Sequence, residues 1–335
     1  MKRFIEQSWQ KFHPLMLVFL PLWALYWLVT AIRRLCYRLG IKKTLRVDVP
    51  LIIIGNLTVG GNGKTPVVVW LVKLMQKLGY NVGVISRGYG GSNQGVLLVD
   101  QDSKSDVCGD EPTLIVNQTG CLMAVGRDRV SAAQTLIQHA NSLGKSLDFI
   151  VSDDGLQHYR LHRDAEIIVI DGERRFGNGF LLPMGPNREG QWRLKGAMLS
   201  ICNGAQAQQN EALMTLTPQQ WRSVKTNEII DIDFRQQSAV AMAGIGYPQR
   251  FFDTLTQLGI NTDKNIGFAD HQHYEYEQLT ALTQDAQWLL MTEKDAVKCR
   301  EFAQNNWCYL PVAATFEDEI EQKIIEKLEE IHHGV

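Results

Sequence analysis

The stretch Leu51-Ile52-Ile53-Ile54-Gly55-Asn56-Leu57-Thr58-Val59-Gly60-Gly61-Asn62-Gly63-Lys64-Thr65-Pro66 sets a short apolar strand against a glycine-rich loop, with a helical pattern opening at Pro66. Glycines let backbone N–H groups converge on phosphate oxygens, and the following helix points its positive end at the same place. Lys64 adds a point charge and Thr65 a hydroxyl suited to Mg²⁺. A turn that merely joined a strand to a helix would need neither side chain. Thr58, Val59, Gly60, Gly61, Asn62, Gly63, Lys64 and Thr65 are therefore expected to cradle a nucleoside triphosphate. The strict Walker spacing places a glycine where Thr58 stands, so this is a variant of that loop.

Working outward, strand and helix patterns alternate. Strands are expected at 51–54, 81–86, 95–99, 121–125, 148–152 and 166–170, with helices at 66–78, 111–118 and 127–143. This alternation predicts an α/β fold, a P-loop NTPase-like doubly wound parallel sheet with its ligand at the C-terminal ends of the strands. From 205 to 226 the sequence turns Gln-rich and polar, and strand-like residues 228–234 lead to a second apolar start at 239–243. A helix at 249–258, a strand at 288–291 and a last helix at 317–332 complete a second, smaller α/β domain. The expected division is a helical segment at 1–45, a nucleotide-binding domain at 46–226 and the smaller domain at 227–335. Two domains suit a chain of 335 residues, since about 100–200 residues is usual for one. The turn Gly244-Ile245-Gly246 lacks the third glycine of a dinucleotide fingerprint and reads as a plain strand-to-helix connection.

The formal net charge of −2 gives no general attraction to nucleic acid, and no nucleic-acid partner is expected. The six cysteines are scattered without C-x-x-C pairs and read as reduced thiols. One segment breaks the soluble pattern. Residues 14–32 carry no charge, include Trp23, Tyr26 and Trp27, and are flanked by Lys2, Arg3 and Lys11 before and Arg33, Arg34, Arg38, Lys42 and Lys43 after. A monotopic anchor, a full span and a core helix all fit; in the membrane cases the heavier basic flank keeps the phosphate loop cytoplasmic. A cleavable signal peptide does not fit, since arginines follow the apolar run directly.

Asp153 and Asp154 end an apolar strand and suit a Mg²⁺ site, because that cation needs one or two carboxylates besides phosphate oxygens. Gln157 and His158 lie just beyond. Asp110 and Glu111 put two carboxylates on a turn, with Asp110 a candidate general base, and His271 offers an imidazole able to orient such a carboxylate. Arg87, Arg127, Arg129, Arg160, Arg163, Arg174, Arg175 and Arg188 cluster near these loops and suit an anionic substrate. With the apolar segment, they point to phosphorylation of an anionic lipid at a membrane surface.

Several runs together resemble the tetraacyldisaccharide 4′-kinases of lipid A biosynthesis. They are the phosphate loop, Ser86-Arg87-Gly88-Tyr89-Gly90, Gly109-Asp110-Glu111-Pro112, Asp153-Asp154-Gly155-Leu156-Gln157-His158, Arg174-Arg175-Phe176-Gly177-Asn178-Gly179 with Leu181-Leu182-Pro183 and Gly185-Pro186, and Asp270-His271 with Thr292-Glu293-Lys294-Asp295. The resemblance implies transfer of the ATP γ-phosphoryl group to the 4′-hydroxyl of a tetraacyldisaccharide 1-phosphate, giving lipid IV-A, by an inner-membrane enzyme facing the cytoplasm. It implies that residues 58–65 bind ATP, that Lys64, Asp110 and His271 are catalytic, and that Thr65 with Asp153 or Asp154 serves Mg²⁺. Arg87, Glu111, Gln157, His158, Arg174 and Arg175 are then expected at the anionic glycolipid. His273 competes with His271 for the imidazole role, and no obligatory protein partner is expected. A closure of the two domains around ATP is also expected, since Lys64 and His271 fall in different ones. A regulatory GTPase is disfavoured because Thr292-Glu293-Lys294-Asp295 does not fit the guanine-reading Asn/Thr-Lys-x-Asp pattern. A membrane-associated ATPase acting on a protein partner is the remaining rival.

Overall fold

β1 (Leu51–Gly55) is buried along its length because both of its faces are covered in the computed structural model, which describes residues 2–283 and 286–334 without the side chains of residues 2–4 and 6. Lys2 and Arg3, counted above in the basic flank, lie outside the described side chains. Ile52 and Ile54 pack into a core with Val67, Leu71 and Met75, while Leu51 and Ile53 pack into another with Val130, Ala133 and Leu136. Burial on both faces is why the run is continuously apolar rather than alternating.

Among the described residues the helices are α1 (Lys2–Gln10), α2 (Leu20–Arg38), α3 (Lys64–Lys77), α4 (Ser105–Cys108), α5 (Asp110–Thr119), α6 (Arg129–Ser142), α7 (Gln249–Gln257), α8 (Tyr276–Leu282), α9 (Glu293–Cys299) and α10 (Asp318–His333). The remaining strands are β2 (Val82–Ser86), β3 (Leu97–Val99), β4 (Leu122–Val125), β5 (Phe149–Asp153), β6 (Ala165–Asp171), β7 (Leu199–Asn203), β8 (Glu211–Pro218), β9 (Arg222–Ser223), β10 (Ala239–Ala243), β11 (Lys264–Gly267), β12 (Trp288–Thr292), β13 (Trp307–Leu310) and β14 (Val312–Thr315). One sheet runs β14-β8-β7-β6-β1-β5-β2-β4-β3, parallel except at the rims, where β14 and β3 are antiparallel to their neighbours. The other runs β11-β10-β12-β13-β9, antiparallel only at β9. The register sets Ile54 beside Asp153 and Gly55 beside Ile168. Asp153, the phosphate loop, Asp171 and Asn203 thus emerge side by side from β5, β1, β6 and β7, at the edge where open α/β sheets bind ligands.

The sheets divide the chain differently from the expected 46–226 and 227–335. β9 already belongs to the smaller sheet, and after β13 the chain returns, adding β14 to the rim of the large sheet. α10 follows it there, burying Ile324 and Leu328 in the same core as Ile52. The polar stretch 205–226 hides β8, whose buried Ala212 and Met214 alternate with more exposed neighbours. An alternating strand near a sheet rim carries too few apolar residues to stand out from a linker. The expected strand at 228–234 is not formed: one bridge joins Ile229 to Arg222, and a 3₁₀ turn starts at Phe234.

α2 lies along the large domain instead of standing apart from it. Trp23, Tyr26, Thr30, Arg34 and Tyr37, spaced three or four apart, are the better-covered positions, while Leu22, Leu25, Val29 and Ile32 on other faces are exposed. Trp23 meets Phe180 edge-on at 6.1 Å, Tyr37 lies 5.8 Å from Tyr159, and Arg34 sits 4.7 Å above the Trp192 ring. The core-helix reading fails, since 6% of the apolar window is buried.

Candidate active site

Gly63 caps α3 at φ +86°, and a Cβ there would collide with the Asn203 amide, so only glycine lets the loop turn into the helix against β7. Asn203 Nδ2 donates to the Asn62 carbonyl at 3.0 Å, and Asn62 Nδ2 donates to the Thr58 hydroxyl at 2.9 Å. Thr58 and Asn62 are buried and hold the loop's shape through their side chains. Thr58 therefore replaces the usual glycine by a latch, and what it offers an anion is main chain. Lys64 Nζ donates to Asn56 Oδ1 at 3.3 Å and lies 3.6 Å from Asp154.

Asp153 and Asp154 differ sharply. Asp153 is 1% exposed and accepts from Ser86 Oγ at 3.2 Å, while its Oδ1 is buried with no hydrogen-bond partner. Burial, and next the charge of Glu111, push it up to about 7. Asp154 is half-buried, and desolvation by itself raises a carboxyl, but Lys64 and Arg188 outweigh that and hold it below its usual range. Its backbone sits at φ +48°, a conformation costing about 1–3 kcal/mol that these ion pairs fix.

Across the cleft, His271 Nδ1 lies 3.2 Å from Asp110 Oδ2, and Lys294 Nζ lies 3.5 Å from His271 Nε2. An ammonium only donates and an ionised carboxylate only accepts, so the neutral ring carries its proton on Nδ1 and donates to Asp110. Lys298 Nζ is 3.5 Å from Asp110 Oδ2. Burial pushes Asp110 up, but the His271 hydrogen bond and the charges of Lys298 and Lys294 win, so its carboxyl lies below its ordinary value. Lys294 also reaches Asp270 at 2.8 Å and Glu111 at 3.6 Å. His273 is exposed and 3.5 Å from Asp106, away from Asp110.

The two domains meet at the phosphate loop. A Cβ on Gly246 would sit 3.0 Å from Gly61 N, so the turn read as a plain connection is a close-approach point. Arg174 Nη2 donates to the Gly61 carbonyl and to Asp171 Oδ2 at 2.7 Å; Arg250, from α7, meets the same Oδ2 at 3.1 Å. Between the domains runs a cleft of about 700 Å³, its wall formed by Lys64, Trp70, Lys73, Arg250, Phe251 and Lys294 among others.

Of the other expected residues, Arg87 is exposed just past β2, and Glu111 lines the cleft. Gln157 Nε2 donates to the Asn56 carbonyl at 3.2 Å. His158 is half-buried with Nδ1 unpartnered, and burial, then Arg129, lowers its proton affinity. Arg175 turns away: its fork closes on Glu211 at 2.8 and 2.6 Å, so the geometry gives no support to its expected substrate contact.

Asn56 and Asp295 stood without a role in the sequence, and Arg188, counted there among the arginines for an anionic substrate, turns to the loop instead. Asn56 and Arg188 brace the loop from behind. Asp295, fully buried, accepts from Gly244 N at 3.0 Å, Tyr274 OH at 2.8 Å and Thr292 Oγ1 at 2.6 Å, with Lys298 at 3.5 Å, and so fixes α9 and the Gly244 turn. Asp295→Ala strands three donors and leaves the buried Lys298 ammonium with Asp110 at 3.5 Å, an effect of about 3–5 kcal/mol. A fall in Tm of about 5 °C or more is expected by calorimetry; a Tm unchanged within about 1 °C would refute the hub role.

The family model described as LpxK, tetraacyldisaccharide-1-P 4′-kinase, matches residues 15–329. A tetraacyldisaccharide 4′-kinase of Shewanella frigidimarina is 47% identical over 331 residues, covering 99% of this chain and 97% of that protein. One from Actinobacillus pleuropneumoniae serotype 5b is 49% identical over 322 residues, covering 96% and 97%. The crystal structure of the "apo" form of LpxK from Aquifex aeolicus in complex with ATP superposes with a TM-score of 0.78 at 26% identity, covering 94% of this chain and 99% of that one. With its phosphate loop, its paired Asp110 and His271, and these matches along nearly its whole length, the chain belongs to the LpxK family of tetraacyldisaccharide 4′-kinases.

Proposed function

We propose that this kinase moves the γ-phosphoryl group of ATP to the 4′-hydroxyl of a tetraacyldisaccharide 1-phosphate at a membrane surface, with Asp110 as the base. The observation that carries the assignment of roles is a single cleft lined by Lys64, by Glu111 next to Asp110, and by Asp270 and Lys294, which meet the His271 paired with Asp110. The acceptor hydroxyl gives its proton to Asp110, whose Oδ2 is occupied by His271 and Lys298, leaving Oδ1 to meet it. His271 acts by orienting the carboxylate. Lys64, with the loop's N–H groups, neutralises charge on the transferring group.

Mg²⁺ fits the residues present. The unpartnered Oδ1 of Asp153 and its raised proton affinity mark a carboxylate suited to a cation, and Thr65 stands at the loop's end. Asp154 is already paired with Lys64 and Arg188, which favours Asp153 as the direct ligand. Among the described residues no group of three or more His, Cys, Asp or Glu could hold a metal, in keeping with a cation that takes most ligands from phosphate and water. When bound, Mg²⁺ would supply charge neutralisation at the phosphates.

α2 supports a monotopic anchor. It is docked on the kinase body along its length, so it cannot cross about 30 Å of hydrocarbon without taking that body with it. Its exposed apolar face then lies in the bilayer interface, and its basic flank supports a site on the cytoplasmic face of the inner membrane.

The test is transfer of label from γ-labelled ATP to purified tetraacyldisaccharide 1-phosphate in detergent micelles. Labelled lipid is expected; lipid-independent release of phosphate without labelled lipid would favour the ATPase reading instead.

A further inference from the structure

Two side chains of α2 reach past the surface of the body. Tyr26 OH donates to the Arg188 carbonyl at 3.1 Å, and two turns on, Arg33 Nη2 donates to the Gln157 carbonyl at 3.3 Å. Among the described residues these are the side-chain hydrogen bonds that α2 makes to the body. Both recipients send their own side chains to one place. Arg188 Nη2 donates to Asn56 Oδ1, Gln157 Nε2 donates to the Asn56 carbonyl at 3.2 Å, and Arg188 Nη1 donates to Gln157 Oε1 at 3.1 Å. Asn56 Oδ1 is the atom that accepts from Lys64 Nζ.

The main chain repeats the connection. Arg188 N donates to the Leu57 carbonyl at 2.6 Å and Val59 N to the Pro186 carbonyl at 2.9 Å, so residues 186–188 are zipped onto the rising half of the phosphate loop. Thr58 and Asn187 form a bridge between them. Tyr26 holds the far side of this zipper. Arg188 Nε adds a bond to the Thr58 carbonyl at 3.2 Å, and its fork also meets Asp154 at 3.3 Å.

A helix serving only as an anchor needs apolar surface toward lipid and any adequate packing toward the protein. Ring contacts such as Trp23 on Phe180 would suffice. Hydrogen bonds to the two residues that converge on Asn56 are a more specific arrangement. We infer that α2 is a working part of the nucleotide site, with Tyr26 and Arg33 as positioning residues that hold Asn56, and through it Lys64, in register with the phosphates of ATP. Docking on lipid and the geometry of the phosphate loop then share one element.

This rests on the loop being the nucleotide cradle, a reading that Lys64→Ala tests on its own. For the positioning role, steady-state kinetics of the full chain are measured in mixed micelles with ATP varied, beside flotation with phosphatidylethanolamine–phosphatidylglycerol vesicles. Tyr26→Phe removes one oxygen and keeps the ring. Its KM for ATP is expected to rise about three- to tenfold, the size of one net hydrogen bond, with flotation unchanged. Leu25→Ser, on the exposed face, is expected to weaken flotation and raise the KM for lipid while leaving the KM for ATP alone. A Tyr26→Phe protein whose KM for ATP stays within about twofold of the parent, or whose loss is confined to kcat, overturns the inference, because a merely structural role lowers the active fraction without touching KM. Transfer within about tenfold of the parent in Lys64→Ala would instead bring down the cradle reading itself.

Discussion

Lys64→Ala is expected to lower kcat/KM for lipid phosphorylation by about 10³–10⁵-fold, the range in which loss of a single cation at a transferring phosphoryl group falls. In-line phosphoryl transfer leaves a protein little covalent chemistry, so most of its contribution is positioning and charge. Lys64 supplies both. Its side chain is 11% exposed, its ammonium fixed by Asn56 at 3.3 Å and Asp154 at 3.6 Å, and it lines the cleft from the first residue of α3. Alanine also leaves the half-buried Asp154 with Arg188 as its remaining ion-pair partner, so a partly uncompensated carboxylate is added to the loss. Lys64→Arg should not restore the rate, since a planar fork does not fit a slot shaped for a point charge. Label transfer from γ-labelled ATP, followed over several hours to reach low rates, measures both variants. A loss of less than about tenfold in Lys64→Ala would show that charge at this position is not what the loop is for.

The large domain was legible because its strands are continuous apolar runs punctuated by glycine. Residues 51–54 announce a strand buried on two faces, and Lys64 with Thr65 marks the loop after it as a phosphate cradle. β8 and β14 were not legible, since strands at a rim need little apolar surface and the return of the chain to the first sheet leaves no local mark. The site divides in the same way. Lys64, Asp110 and Asp153 sit at strand ends or helix starts, where residue type and position together point to chemistry. Asn56, Arg188 and Asp295 act through partners 132, 34 and 51 residues away, and spacing along a chain does not encode such pairings. Arg175 shows the converse error: an arginine beside a glycine-rich turn suits an anion equally well on paper, but its fork is taken by Glu211.

Asp110→Asn keeps the size of the side chain and removes its capacity to take a proton, so kcat is expected to fall about 10²–10⁴-fold while the KM for ATP changes little. Measured side by side, Lys64→Ala is expected to lose about tenfold more than Asp110→Asn, which would place charge above base assistance in this site. The pH dependence separates the base from its supports. Burial alone would raise Asp110, yet the His271 hydrogen bond with the charges of Lys298 and Lys294 holds it below its ordinary value. The carboxylate is therefore ionised through the neutral and mildly acidic range, and kcat/KM should not lose activity through this group there. His271→Ala removes the hydrogen bond, the foremost of the lowering influences, so its acid limb is expected to move to higher pH, with a smaller loss of kcat than Asp110→Asn at neutral pH. Stability carries the same sign. A folded-state value depressed below the unfolded one contributes stability that is present above the unfolded value and is lost as pH falls through the folded value, so Asp110→Asn should flatten that part of the acid-unfolding curve. An acid limb of kcat/KM that coincides in the parent and His271→Ala would show that the imidazole does not set the carboxylate's proton affinity, and a kcat for Asp110→Asn within about tenfold of the parent would remove Asp110 from the base role.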